Sequence, residues 1–426
     1  MPQTSILRSS ELGIRLQGHN TGVAPGETLT GQVFRSAPAV SPDASLRITL
    51  RGRAKSKYTL KREDSSVTTT YRGRWDVVYP EYHTRVLYQG PLHIASDFGE
   101  QVWDFALVLP SKVITRCAEG QSESSSFVPL DASHSLPPTF EVKGWGKKGN
   151  LDAFVEYWLH AELSISKDGH TKTVEAMQPF TLRNPNPGDP HGKIEVDLSD
   201  VEDSAHVTSF RLTPGMGDAK LSFSQKMKQW FRFFSSSIPR FEFNIQTDLP
   251  SRIELDGPDI IPFNITFTPK WNSTSEIIRE VPQKIKLTRV SLTIRTTVEI
   301  ICEDPMNERD ITRQVSEEVD LNIWDAIEEQ GEDIFISCIE KSEPVDIGKL
   351  INLRVGPYGR IVSNPSADAK MVLRPGFATY NIRRTHKLLW GLRGEIAGGD
   401  FGAHGQQIVT LVPKVATRLG DNKASK

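Results

Sequence analysis

Apolar and polar residues alternate one by one along most of this chain. Leu46, Ile48, Leu50 and Ala54 fall on one face of an extended segment, with Arg47, Thr49, Arg51 and Arg53 on the other. Trp103, Phe105, Leu107 and Leu109 repeat the pattern and stop at Pro110; Val155, Tyr157, Leu159, Ala161 and Leu163 repeat it again. In the second half, Val290, Leu292, Ile294, Val298 and Ile300 predict a long strand, and Val315, Val319, Leu321 and Ile323 another. Successive strand side chains point to opposite faces, so a period of two describes sheets with one buried and one solvated face. Turns such as Pro25-Gly26 and Pro375-Gly376 punctuate the pattern. Many short strands without intervening helices predict an all-β fold of antiparallel β-sandwiches. At 426 residues the chain is too long for one such core and suits two in tandem.

The strand pattern fades after Leu182. Residues 184–190 contain three prolines, which supply no amide donor to a ladder. Acidic residues follow at Glu195, Asp197, Asp200, Glu202 and Asp203, and strand patterning resumes near Ile238. The expected layout is therefore a first sandwich at 1–183, a connector at 184–237, a second sandwich at 238–412 and a loose tail at 413–426. The hydroxyl-rich stretches 63–70 and 118–126 are expected to be mobile loops.

One connector segment has a different period. Ser222 and Gln225 fit a capping box, and Phe223, Met227, Trp230, Phe231 and Phe234 fall on one arc of a helix. Lys226, Lys228 and Arg232 lie off that arc, Lys220 precedes it, and the segment contains no acid. Such a helix suits an anionic membrane surface. It equally suits packing of its aromatic face on one of the sandwiches, and both readings stay open at this point.

Composition narrows the function. A net charge of −2 gives no sign of a nucleic-acid partner. No apolar run approaches the roughly 20 residues of a membrane span. The first fifteen residues lack a signal-peptide core, so the sequons at Asn264 and Asn272 are read as chance matches. The cysteines Cys117, Cys302 and Cys338 are odd in number and scattered, which predicts a reducing, cytoplasmic setting. No zinc-protease, hydrolase-elbow or phosphate-loop motif is present, and no two histidines stand at a spacing that one element would use for a metal. No enzyme activity, metal or cofactor is expected, although a triad assembled from distant loops leaves no mark in a sequence.

Several of these segments, taken in order, resemble arrestin-domain proteins, particularly the arrestin-like proteins of fungi. Pro25-Gly26-Glu27 with Gly31 and Val33 is similar to that family's early turn and second strand. Residues 46–54, 103–110 and 155–163, the run Leu136-Pro137-Pro138-Thr139-Phe140-Glu141, and residues 377–382 and 388–398 resemble later strands. The resemblance implies two immunoglobulin-like β-sandwiches. It also implies a non-enzymatic adaptor or scaffold binding membrane-protein tails, endocytic factors or ubiquitin-ligase machinery, peripherally at the plasma membrane or endosomes. Two features depart from it. The chain has no Pro-Pro-x-Tyr motif for WW domains; Leu136-Pro137-Pro138 runs into Phe140, and Pro80-Glu81-Tyr82 is a shortened form retained as a candidate partner site. The long tail that usually carries such motifs is nearly absent. The alternatives are a hydrolase-type enzyme on a β-sandwich scaffold and a carbohydrate-binding sandwich.

Overall fold

The computed structural model describes residues 3–18, 22–61, 68–96, 99–113, 126–130, 133–146, 149–167, 170–183, 198–217, 220, 222–230, 238–304, 310–331, 333–356 and 372–413. Among the described residues the fold is all-β, with several antiparallel sheets and no barrel. The strands are β1 (Gly13–Leu16), β2 (Thr28–Arg35), β3 (Ala39–Lys61), β4 (Thr68–Val78), β5 (Thr84–Ile94), β6 (Gln101–Val108), β7 (Phe140–Gly146), β8 (Gly149–Lys167), β9 (His170–Phe180) and β10 (Leu198–Thr208). They continue with β11 (Arg240–Pro250), β12 (Arg252–Glu254), β13 (Asn264–Pro269), β14 (Gln283–Cys302), β15 (Ile311–Asp320), β16 (Phe335–Cys338), β17 (Val345–Asp346), β18 (Phe377–Ala378), β19 (Ile382–Ile396) and β20 (Gly399–Val412). The helices are α1 (Phe223–Trp230), α2 (Ile323–Glu328) and α3 (Ile347–Leu350).

The chain divides into two compact units. The first comprises Met1–Gly188, Thr297–Val315 and Phe377–Arg384. Its larger sheet is organised on β3 and β8, antiparallel from Asp43↔Ser166 to Leu60↔Gly149. Strands β5 and β4 share the far side of β3, while β7 and β9 share the far side of β8. A smaller sheet runs β1-β2-β6. One core draws on both sheets: Leu151, Val155, Tyr157, Leu159 and Leu163 of β8 cluster with Leu29 and Val33 of β2 and with Trp103 and Phe105 of β6. Gly31 stands mid-strand because a Cβ there would overlap the Arg15 carbonyl oxygen and the Phe105 ring. The buried Tyr157 hydroxyl donates to the Pro137 carbonyl at 2.6 Å, which satisfies its only donor.

The later segments complete this core. Val298, Ile300 and Cys302 join it with Tyr380 and Ile382. The buried Ser56 hydroxyl donates to the Ile301 carbonyl at 2.6 Å and accepts from the Asn381 amide at 2.9 Å. The alternation along β14 predicts Leu292, Ile294, Val298 and Ile300 in the core of the second sandwich. Instead, Leu292 and Ile294 enter the second unit's core, and Val298 and Ile300 enter the first's. Twenty residues at about 3.3 Å each reach farther than one core requires, and an unbroken period of two carries no mark of where one core gives way to the next.

The second unit comprises Asp189–Thr296, Ser316–Gly376 and Thr385–Lys426. One sheet runs β10-β11-β13-β17; the other follows β12-β20-β19-β14-β15, with β16 added on β14. Its core holds Phe241, Phe243, Phe263, Phe267, Leu292, Trp390 and Phe401. Phe243 meets Phe401 edge-on with centroids 5.0 Å apart, a favoured aromatic geometry.

Three local expectations are corrected. Residues 198–208, expected inside a strandless connector, form β10 and pair with β11. Ala205 and Val207 are buried there, and in the sequence they stand among the polar Glu202, Asp203 and His206. Ile323, expected on a strand, opens α2 after Asn322 takes a left-handed conformation at φ 49°. Buried Ile323, Ala326 and Ile327 then follow a helical spacing. Thr68, Thr69 and Thr70, expected in a loop, begin β4, because β-branched residues favour extended backbone. The remainder of stretch 63–70, residues 118–125 of the second loop and the tail beyond 413 lie outside the described residues.

Phe105→Ala should destabilise the fold by about 3–5 kcal/mol through the cavity it leaves. Gly31→Ala should cost about 1–3 kcal/mol through overpacking against the same ring. Denaturant melts of both variants beside the wild type check the pair, and unchanged midpoints would mean that β2 and β6 are wrongly registered.

Candidate functional site

The second unit carries a wide groove of about 680 Å³ on one face of a sheet. The alternation of its strands builds it. On β19 the even-numbered residues Leu388, Trp390 and Leu392 enter the core, so Gly391 and Arg393 face outward. On β20, Phe401 and Ala403 enter the core, leaving Gly402 and His404 outside. The register sets Gly391 against His404 and Arg393 against Gly402, so each glycine faces a larger side chain across the pair. A glycine leaves a gap where any other residue would stand, and two of them hollow out the groove. Arg289, Ser291 and Thr293 of β14 and Asp320 of β15 complete the lining.

Ser291 donates its hydroxyl to the Gly391 carbonyl at 3.3 Å. The backbone amide of His404 donates to the Asp203 carboxylate at 3.2 Å. The lining holds two arginines, one aspartate and the hydroxyls of Ser291 and Thr293. Its arginines and hydroxyls can hold an acidic segment by charge-assisted hydrogen bonds. Nothing in the sequence singled out these residues. The available signal was the pair Gly391 and Gly402 on the outward face of two successive strands, which reads in a sequence as ordinary strand glycine.

Nucleophile and base come together at one described place. Thr296 Oγ1 lies 3.0 Å from His386 Nδ1. Thr296 is 3% and His386 2% exposed, so no substrate reaches the pair and it serves as a buried polar contact. Burial pushes the Cys302 thiol up to about 11 and the Cys338 thiol up to about 12, which makes both inert as nucleophiles at neutral pH.

The amphipathic segment forms α1. Its capping box is made as expected: the Gln225 amide nitrogen donates to Ser222 Oγ at 3.3 Å, and the Ser222 amide donates to the Gln225 side chain at 2.8 Å. Phe223 is 80% exposed, Lys220 and Lys226 are exposed, and Met227 is half-buried. Lys228 and Trp230 belong to the helix, while Phe231, Arg232 and Phe234 lie outside the described residues. Among the described residues no helix is long and apolar enough to cross a membrane.

Pro80 and Tyr82 form a single 3-10 turn between β4 and β5, closed by the His83 amide donating to the Pro80 carbonyl at 3.1 Å. Tyr82 is half exposed there. WW domains take proline motifs in extended polyproline form, so this turn would have to open to be read by one. Leu136, Pro137 and Pro138 are buried. No family model matches the chain, and no curated protein matches it in sequence.

Near pH 8, Cys302 and Cys338 should resist a thiol reagent in the native protein. With the thiol of Cys302 titrating near 11, about one molecule in a thousand carries its thiolate. Mass spectrometry after brief alkylation, with and without denaturant, checks this; modification of either residue in the folded chain would refute the burial.

Proposed function

We propose that this chain is a non-enzymatic intracellular adaptor of the arrestin type, two tandem β-sandwiches that bind acidic segments of membrane-protein tails. The observation that carries the reading is the groove lined by Arg289, Arg393, His404, Ser291 and Thr293 over Gly391 and Gly402. Arginine forks and hydroxyls match carboxylates or phosphate esters. The two-sheet cores and the ordered resemblance of the strands support the finer fold. The burial of Thr296, His386, Cys302 and Cys338 argues against acyl-transfer chemistry at those residues. Endocytic factors and ligase machinery are the partners that the resemblance suggests for such an adaptor.

Fluorescence anisotropy with acidic and phosphorylated peptides tests the groove. Arg289→Glu with Arg393→Glu should weaken binding at least about tenfold, a loss of ~1.4 kcal/mol. Wild-type affinity should fall as salt rises, because exposed charges are screened. Equal binding of a neutral peptide, or no effect of the double reversal, would refute the reading.

Helix α1 supplies membrane contact in this reading. Phe223 stands open to solvent on the same helix as the exposed Lys226. An anionic leaflet gains about 1 kcal/mol from each nearby cation and roughly 1.5–3 kcal/mol from each large buried apolar side chain, so attachment is weak and reversible. Wild-type protein should co-sediment with anionic vesicles at low salt, and Phe223→Ser/Lys226→Glu should stay in the supernatant. Equal sedimentation of both, or none with either, removes the membrane role.

A further inference from the structure

The larger sheet of the first unit brings together three side chains that the adaptor reading does not use. His160 and Glu162 are two residues apart on β8 and so share a face. Glu175 on β9 stands directly opposite Glu162. One ligand atom from each of the three lies within 4.8 Å of the others. The neighbouring row is fixed in the same way, with Thr49 and Met177 flanking His160.

Two features of this cluster are unfavourable as they stand. Glu162 and Glu175 are like charges facing each other across an antiparallel pair, which destabilises a sheet. Arg47 stands opposite Glu162 in the register but forms no ion pair with it among the described residues. His160 is 6% exposed, yet neither ring nitrogen has a hydrogen-bond partner. Its Nε2 is 3.5 Å from Glu175 Oε2, too long for a hydrogen bond and an ion pair only if the ring is protonated. A buried polar atom left unmade is costly.

We propose that His160, Glu162 and Glu175 bind a divalent transition-metal ion of the zinc class. A dication neutralises both carboxylates and fills the unsatisfied lone pair of the imidazole. One nitrogen and two oxygen donors suit Zn²⁺ and its neighbours, whereas Mg²⁺ and Ca²⁺ favour oxygen alone. Tetrahedral ligands at about 2.0–2.2 Å from zinc lie roughly 3.4 Å apart, so the glutamates need only swing inward. Glu175 has the freedom to do so, since its side chain is 45% exposed. The second nitrogen of His160 lacks the acceptor that usually steadies a metal-bound imidazole, so affinity falls short of a closed structural zinc site. Three protein ligands also leave a coordination position open on the solvent side. The inference stands apart from the groove, because the two lie in different units.

Calorimetric titration of the metal-free full-length chain with zinc chloride tests it. The wild type should take up one Zn²⁺ that an excess of Mg²⁺ or Ca²⁺ does not displace. Glu162→Gln with Glu175→Gln should weaken that uptake at least tenfold, and His160→Ala should remove it. Substitution of Co²⁺ should give a visible ligand-field absorption in the wild type that the double glutamine variant lacks. The glutamine substitutions keep size and shape, so their melting temperatures without metal should match or exceed that of the wild type, and they carry the test if His160→Ala does not fold. Equal zinc uptake by the wild type and the glutamine variant, or the same cobalt spectrum from both, would overturn the site.

Discussion

The ladder between β3 and β8 is the constraint on which the first unit rests. Every other strand of the larger sheet attaches to one of these two, so their register fixes the placement of β4, β5, β7 and β9. A slip of one residue would turn Leu46, Ile48, Leu50, Leu159 and Leu163 away from the core. The outward residues of β8 hold the register too. Phe154 and Trp158 are nearly buried on that face, beneath Lys55 and Arg53, with the Arg53 guanidinium 4.8 Å from the Trp158 ring centre. Arg53 also pairs with Glu156, and the Thr4 amide donates to the same carboxylate at 2.7 Å. Removing one member of so enclosed a pair leaves a buried charge uncompensated. Both faces of β8 therefore oppose a shift.

The two candidate sites arise from opposite treatments of an outward sheet face. In the second unit, glycines remove side chains and leave a groove rimmed by arginine. In the first, the central strand is flanked on both sides, so even a histidine on its outward face is shut away from water. Polar groups of the groove stand open to solvent, whereas the His160 ring is open only to something the size of an ion.

The sequence disclosed the strands better than their allegiances. Period two marked β3, β6, β8 and β14 because each has a full inward row, such as Leu46, Ile48 and Leu50. It missed β10, whose buried Ala205 and Val207 stand among Glu202, Asp203 and His206. It could not divide β14 between two cores, since Leu292 and Ile300 lie on the same face of one continuous strand. The cap of α1 was legible because Ser222 and Gln225 act on one another locally. The groove and the His160 cluster were not, because Gly391, Arg289 and Glu175 meet only through pairings between distant strands, and a search for paired histidines passes over one histidine with two glutamates.

The discontinuous make-up of the first unit bears on the order in which the protein is made. Its core needs Val298, Ile300, Tyr380 and Ile382, and its buried Ser56 needs the Ile301 carbonyl and the Asn381 amide. The residues up to Gly188 leave the ribosome long before these. At roughly 5–20 residues per second, Arg384 follows about 10–40 s later. During that interval the nascent first half holds an open apolar flank and an unpaired hydroxyl. The amino-terminal half is thus synthesised first but cannot complete its core until Arg384 has followed, and a chaperone has its opportunity in between.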